Sequence, residues 1–319
     1  MLVGAVVGVP VSALLLWLAV RKVDLSDVWS TLANARPGFV VAAVGAMGVV
    51  YTFQAERWRR VAAQWAVPWR RYLEMVVSGV AVNNVLPGRA GDLLRARWLG
   101  LEARIPGGKA LATVVIDRAF DLVTLVALLV VSLPFVTEEE WLGRIVFGGL
   151  AGLAALAVVL LFARHYTRSR DRERRGRRGF LRRVARDTVE GLAEPMSASR
   201  LVTVVSLSVC AWVAWGAGAW LVAHAVGIEL SLLETAFVAA AINLGVAIPS
   251  SPGFVGTYQW LGVASLGLFG VSGEEALAFA ILLQAVWYVP TTLVGGAFLT
   301  IRAVRSRTVP REAAQTLPL

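Results

Sequence analysis

The chain has one cysteine, Cys210, two histidines, His165 and His224, and two lysines, Lys22 and Lys109, in 319 residues. A single thiol in an apolar run closes no disulfide within the chain. With no cysteine cluster and no HExxH or GxxxxGK[ST] pattern, cysteine-based zinc sites, metalloproteases and P-loop nucleotide hydrolysis are excluded. Charge is scarce too: 16% of residues are charged, against roughly 25% in a soluble domain. Apolar residues fill the space, 57% of the chain with a mean hydropathy of +0.68, which excludes a soluble globular protein. The basic charge is arginine in 29 of 31 cases, for a net charge of +10. A membrane surface fits this balance better than nucleic acid, because the arginine-rich stretch has no interleaved aromatics and no fold to present it. No metal or cofactor is expected.

A bilayer core about 30 Å thick takes roughly 20 apolar residues in a helix. That ruler predicts six spans, over residues 2–20, 38–54, 110–136, 145–163, 201–223 and 277–301. The first has no positive charge ahead of it and no small-residue cleavage site behind it, so it reads as a span rather than a signal peptide. Two further apolar stretches, 72–86 and 236–248, are too short to cross alone. Each runs into a Gly/Pro turn and a second short stretch, 88–101 and 253–270. The predicted fold class is all-α: a polytopic membrane protein with six full spans and two broken or re-entrant hairpins.

Arginine near span ends is retained on the cytoplasmic side. Residues 55–71 carry five arginines against Glu56, the loop 164–200 twelve against five acids, and the tail 302–319 four against Glu312. Glu138 to Glu140, Glu229, Glu234, Glu274 and Glu275 mark the opposite side. The signs alternate correctly with both termini cytoplasmic, although Arg21 and Lys22 fall on the outer face. A single transmembrane domain over 1–301 is then expected, followed by a basic tail over 302–319. Its halves, 38–136 and 201–301, have opposite topology and are joined by the basic loop 164–200, a solvated linker resting on anionic lipid.

The two hairpins resemble each other. Asn83-Asn84 precedes Pro87-Gly88 and Gly91 in one; Asn243 precedes Pro249, Pro252-Gly253 and Gly256 in the other. Paired Gly/Pro-interrupted segments in inverted halves point to a transporter binding site, because irregular backbone at membrane depth survives only against protein or a water-filled cavity. They also read as kinked packing helices, with the asparagines capping the breaks. Inside the span 110–136, Asp117, Arg118 and Asp121 share a helix face by their spacing of three and four. They must face the bundle interior, either as a self-compensated ion pair or with Arg118 binding an anion that the carboxylates hold and release. Arg89, Asp92 and Arg95 recur at three-residue spacing after Gly88, a face suited to phosphate through arginine forks and a helix N-terminus. No Ser/His/Asp arrangement or carboxylate–nucleophile pair is present, so the chain is not expected to be an enzyme.

Three signatures, Asn83-x-x-x-Pro87-Gly-Arg89-x-Gly91-Asp92-x-x-Arg95, Asp117-Arg118-x-x-Asp121 and Pro249-x-x-Pro252-Gly253-x-x-Gly256, resemble the lysylphosphatidylglycerol synthase transmembrane region, also called flippase-like integral membrane proteins. The similarity runs from the first span to about residue 301. It implies a module that moves aminoacylated phosphatidylglycerol from inner to outer leaflet, fused in its best-known members to an aminoacyl-transferase domain. Eighteen residues follow residue 301, so the synthase activity is not carried over. The family commonly has glutamate where Asp92 stands, and often an acid where Gln259 stands, so any charge coupling through that acid is lost here. The expected function is flipping or scrambling of an anionic or phosphate-bearing lipid across a prokaryotic cytoplasmic membrane, passive or ion-coupled because no nucleotide-binding motif is present. Arg89, Arg95 and Arg118 bind the headgroup in this reading, with Asp92 and Asp121 positioning them. Alternatives are a non-transporting scaffold or lipid-presenting subunit for a separate membrane synthase or glycosyltransferase, and a lipid-modifying enzyme using Asp117 or Asp121 as base.

Overall fold

The computed structural model describes residues 2–86, 89–132, 180–246 and 252–308, with residues 147, 150–152, 154 and 158 between them. The described residues are all-helical, with no strand among them. Helix α1 spans Leu2–Val20, α2 Leu25–Ala33, α3 Pro37–Ala62, α4 Trp69–Val85, α5 Ala90–Ala103 and α6 Gly107–Ser132. After the described fragment between them come α7 Phe180–Ala193, α8 Ala198–Ala225, α9 Leu232–Gly245, α10 Thr257–Gly267 and α11 Gly273–Thr308.

Helices α3, α8 and α11 are each long and apolar enough to cross a membrane. Their outer faces carry Val41, Val202, Val209, Val213 and Leu293, all exposed. A soluble monomer rarely tolerates so much contiguous apolar surface. Helix α6 has 26 residues, about 39 Å at 1.5 Å per residue, but its charges set it apart from those three. The expected span 145–163 lies largely outside the described residues, as does the stretch 133–136.

Two expectations are corrected. Helix α3 does not stop at residue 54; it continues to Ala62, so Arg57 is a helical residue with no exposed surface rather than part of a basic cytoplasmic loop. The loop 164–200 is not wholly a solvated linker either. Residues Phe180–Ala193 form α7, an amphipathic helix that packs closely on α6, where Lys109 donates to Glu194 at 2.7 Å. Helix α2 was not anticipated; Asp24 caps it by accepting from the Ser26 backbone N–H at 2.8 Å.

The core is built from small residues that let helices approach closely. Ala43 and Ala219 are fully buried in the α3 and α8 helices, which make the most extensive helix contact among the described residues. Close approach through small side chains suits helices in lipid, where packing rather than water exclusion drives association. The short pairs α4–α5 and α9–α10 lie inside this frame. Gly91 is required by the first: a Cβ there would stand 1.8 Å from the Gly79 carbonyl oxygen. Gly256 is required by the second, with φ at +90° and a would-be Cβ 2.0 Å from the Ser12 carbonyl oxygen of α1.

Candidate functional site

Six charged side chains from three helices form one buried network. Arg57 of α3 donates from Nε to Asp117 Oδ1 at 2.8 Å, and from Nη1 to Asp121 Oδ1 at 2.7 Å and Ser208 Oγ of α8 at 2.8 Å. Arg95 of α5 reaches the other oxygen of Asp117 at 3.0 Å and lies over the Trp58 ring, its Cζ 4.2 Å from the centroid. Arg118 of α6 bridges Asp121 at 3.0 Å and Asp92 of α5 at 3.1 Å. Left unpaired, buried charges cost several kcal/mol each, against a net stability of about 5–15 kcal/mol for a whole domain. Mutual pairing is what lets them exist here.

A cavity of about 470 Å³ borders this network. Seven predicted site residues line it: Asn83, Asn84, Arg89, Asp92, Arg118, Asp121 and Asn243. The structure brings together here the first hairpin, α6 and the second hairpin. Arg95 and Asp117, also predicted as site residues, sit behind the wall, each about 1% exposed. Arg118 is the intermediate case, its side chain 31% exposed while tied to both carboxylates. Arg89 differs from the other three arginines. It is exposed and lines the cavity, and its side chain makes no hydrogen bond or ion pair among the described residues. Its φ of +54° turns the chain into α5 and holds the side chain at the rim.

The asparagines have local tasks as well. Asn83 Oδ1 accepts from the Gly91 N–H at 2.7 Å, capping α5, which leaves the two N–H donors of its amide nitrogen without a protein partner among the described residues. Asn84 donates to Thr292 Oγ1 at 3.0 Å, and Asn243 to the Ala239 carbonyl at 2.8 Å. Gln259 does not line the cavity. Buried at 5% exposure, it accepts from the Gly256 N–H at 2.7 Å and donates to Gln284, which donates to the Gly253 carbonyl at 2.7 Å. This amide chain pins the second hairpin with neutral groups. Pro252 opens the 3-10 turn Pro252–Phe254, in which Gly253 has φ of +75°. Pro87, Gly88 and Pro249 lie outside the described residues.

Sequence reasoning missed Arg57, because its neighbours Arg59 and Arg60 made the run look like loop charge. It also missed an aromatic wall of Tyr51, Trp212, Trp215, Tyr258, Trp287 and Tyr288. Trp215 and Trp287 stack with centroids 4.8 Å apart. These rings come from four helices, α3, α8, α10 and α11, and apart from the three-residue spacing of Trp212 and Trp215 and the adjacency of Trp287 and Tyr288 they carry no pattern that would have grouped them.

Set against known proteins, the model of the family described as the lysylphosphatidylglycerol synthase TM region matches residues 2–295. The chain belongs to this family. Among relatives of this transmembrane region, a protein of Haloferax volcanii named glycosyltransferase AglD is 27% identical, over 92% of this chain and 53% of its own length. A UPF0104 membrane protein of Methanothermobacter thermautotrophicus is 25% identical, over 85% of this chain and 87% of that protein. Another, from Methanocaldococcus jannaschii, is 24% identical over 69% of this chain and 93% of that protein. The family and its relatives make this a membrane protein. The expectation that it is not an enzyme is corrected by the first of them. That expectation rested on missing side-chain constellations, and a relative similar over nearly the whole chain is named as an enzyme. The chain spans about half the length of that relative.

Proposed function

We propose that this chain binds the phosphate of a membrane lipid in the central cavity and carries the headgroup between the two leaflets. The observation that supports it most is Arg89, a cation at the cavity rim with no partner among the described residues, beside an ion-pair network that is otherwise balanced. Arg57, Arg89, Arg95 and Arg118 face Asp92, Asp117 and Asp121, four positive charges against three negative. The excess charge asks for one anion, and a phosphate oxygen is the partner a guanidinium fork fits best. Arg118 joins it with the donors it does not give to Asp92 and Asp121, since a guanidinium has five N–H groups.

In this reading the protein has six full spans and two hairpins that enter from opposite faces, in an inverted repeat with halves 38–136 and 201–301. It sits in the cytoplasmic membrane of a prokaryote with both termini cytoplasmic. The cavity lies where the two hairpins meet, as broken helices do around transporter sites, and the hairpins open it to each leaflet in turn. Arg95 and Asp117 position Arg118 and the α5 helix from behind and do not touch the lipid. The test is reconstitution in liposomes with headgroup-labelled phosphatidylglycerol and an impermeant quencher. Protein should speed exposure of inner-leaflet label, and Arg89→Gln should abolish the gain; undiminished exposure in that variant would remove the site.

A second reading is favoured by the relative named a glycosyltransferase: the cavity presents a lipid phosphate for glycosyl transfer. Formation of a new lipid species on incubation with a sugar donor separates it from transport, which changes location and not mass.

A further inference from the structure

The three aspartates of the network are not held alike. Asp117 accepts from Arg57 through Oδ1 at 2.8 Å and from Arg95 through Oδ2 at 3.0 Å. Asp121 accepts from Arg57 through Oδ1 at 2.7 Å and from Arg118 through Oδ2 at 3.0 Å. Asp92 has one hydrogen bond among the described residues, from Arg118 Nη2 to Oδ1 at 3.1 Å, and Arg95 Nη1 stands off at 3.8 Å from the same oxygen. Its Oδ2 accepts nothing among the described residues. The Asp92 side chain lines the cavity and is 14% exposed. Of the four arginines in the cluster, Arg89 and Arg118 line the cavity and Arg57 and Arg95 do not. The most loosely tied carboxylate therefore shares its arginine with whatever anion enters.

An anion on Arg89 and Arg118 lies beside that carboxylate, so its charge matters as much as its shape. A phosphodiester has one ionised oxygen and carries one negative charge, which balances the single excess positive charge of four arginines against three aspartates. A phosphomonoester carries about −1.5 to −2 near neutral pH, and its second charge has no counter-charge left in the cluster. Like charges repel strongly where water screens them poorly, and selectivity often rests on such a repulsive element rather than on an added contact. Asp117 and Asp121 are poorly placed for this task, because both oxygens of each are already bonded to arginine. We infer that Asp92 sets the charge that the cavity accepts, admitting a lipid phosphodiester and turning away a lipid phosphomonoester. This rests on the lipid-phosphate reading and assigns the residue that gives that site its selectivity.

The test is calorimetric titration of the purified protein in detergent at pH 8, where a phosphomonoester is a dianion. The probes are dihexanoyl phosphatidylmethanol, a phosphodiester, and dihexanoyl phosphatidic acid, a phosphomonoester, which differ by one methyl group and one charge. Native protein should bind the diester roughly tenfold tighter. Asp92→Asn keeps an oxygen that accepts from Arg118, so the melting temperature should hold, while affinity for the monoester rises and the preference disappears or reverses. Asp92→Glu returns the charge and should return the preference. Glu190→Gln makes the same charge change on α7, on a half-exposed side chain away from the cavity, and should leave the preference as it is. A carboxylate that only positioned Arg118 would show the opposite sign, with Asp92→Asn weakening both probes alike. That result, equal binding of the two probes by native protein, or a preference that survives Asp92→Asn overturns the inference and leaves the phosphate site standing. The comparison on native protein decides without any variant that fails to fold. Failure of both probes to bind native protein, with Arg89→Gln no different, overturns the phosphate site as well.

Discussion

Removing the Arg57 side chain would leave Asp117 paired with Arg95 alone among the described residues and take a donor from Asp121 and Ser208 together. Breaking a buried pair from one side typically costs about 3–5 kcal/mol. Arg57→Leu is therefore predicted to lower the melting temperature in detergent steeply, and Asp117→Asn to do so comparably. Arg89→Gln should leave that temperature unchanged, because no partner among the described residues is stranded. Arg118→Gln falls between: it frees two carboxylates at once, so its loss of activity would mix unfolding with lost binding. Arg89 is for that reason the cleaner probe of the site. The face carrying Asp117, Arg118 and Asp121 was legible from helical spacing alone. Arg57 was legible in principle, since buried Ala43 and Val50 precede it at intervals of seven, on the stripe α3 presents to the core. The neighbouring arginines, which point off that stripe, masked the signal.

At the level of helices, the two short pairs depend on contacts that tolerate no added atom. Gly91→Ala would drive a methyl group into the Gly79 carbonyl and displace α5, and with it Asp92 and Arg95. The expected outcome is loss of folded protein on size-exclusion chromatography, whereas Gly45→Ala, with open space around it, should express normally. In the second pair, Gln284→Leu would strand the Gln259 amide and the Gly253 carbonyl; faster proteolysis near residue 253, with the global fold retained, is the predicted result. The α2 cap gives a pH dependence outside the membrane. Hydrogen bonds from the Ser26 hydroxyl and backbone N–H hold the Asp24 carboxyl below its ordinary range. Its contribution is present above the ordinary carboxylate pKa and lost as pH falls through the depressed one, so amide exchange over residues 25–33 should quicken at acid pH in the native protein and less so in Asp24→Asn. Gly/Pro punctuation made both helix pairs visible in the sequence. Helix α7 was hidden because its arginines dominate the composition of the loop, while its apolar stripe is only four turns long.

Across the whole molecule, the charge network, the Arg89 side chain, which has no partner among the described residues, and the aromatic wall converge on one cavity between the two hairpin regions. Apolar runs located the long helices, and charge located one wall of the cavity. The aromatic wall, with Trp212, Trp287 and Tyr258, could not be read from the chain because membrane helices are rich in aromatics and tertiary contact alone selects which ones meet. Family membership and the outer apolar faces of α3, α8 and α11 place the chain in a membrane. The central claim is that a cation at the cavity rim carries a lipid phosphate across. The most direct measurement compares headgroup-labelled phosphatidylglycerol movement in vesicles holding native, Arg89→Lys and Arg89→Gln protein at equal density. The account predicts rapid exposure of inner-leaflet label with native protein, slower exposure with lysine, which keeps the charge without the fork, and the protein-free rate with glutamine. Equal rates for all three proteins would contradict it.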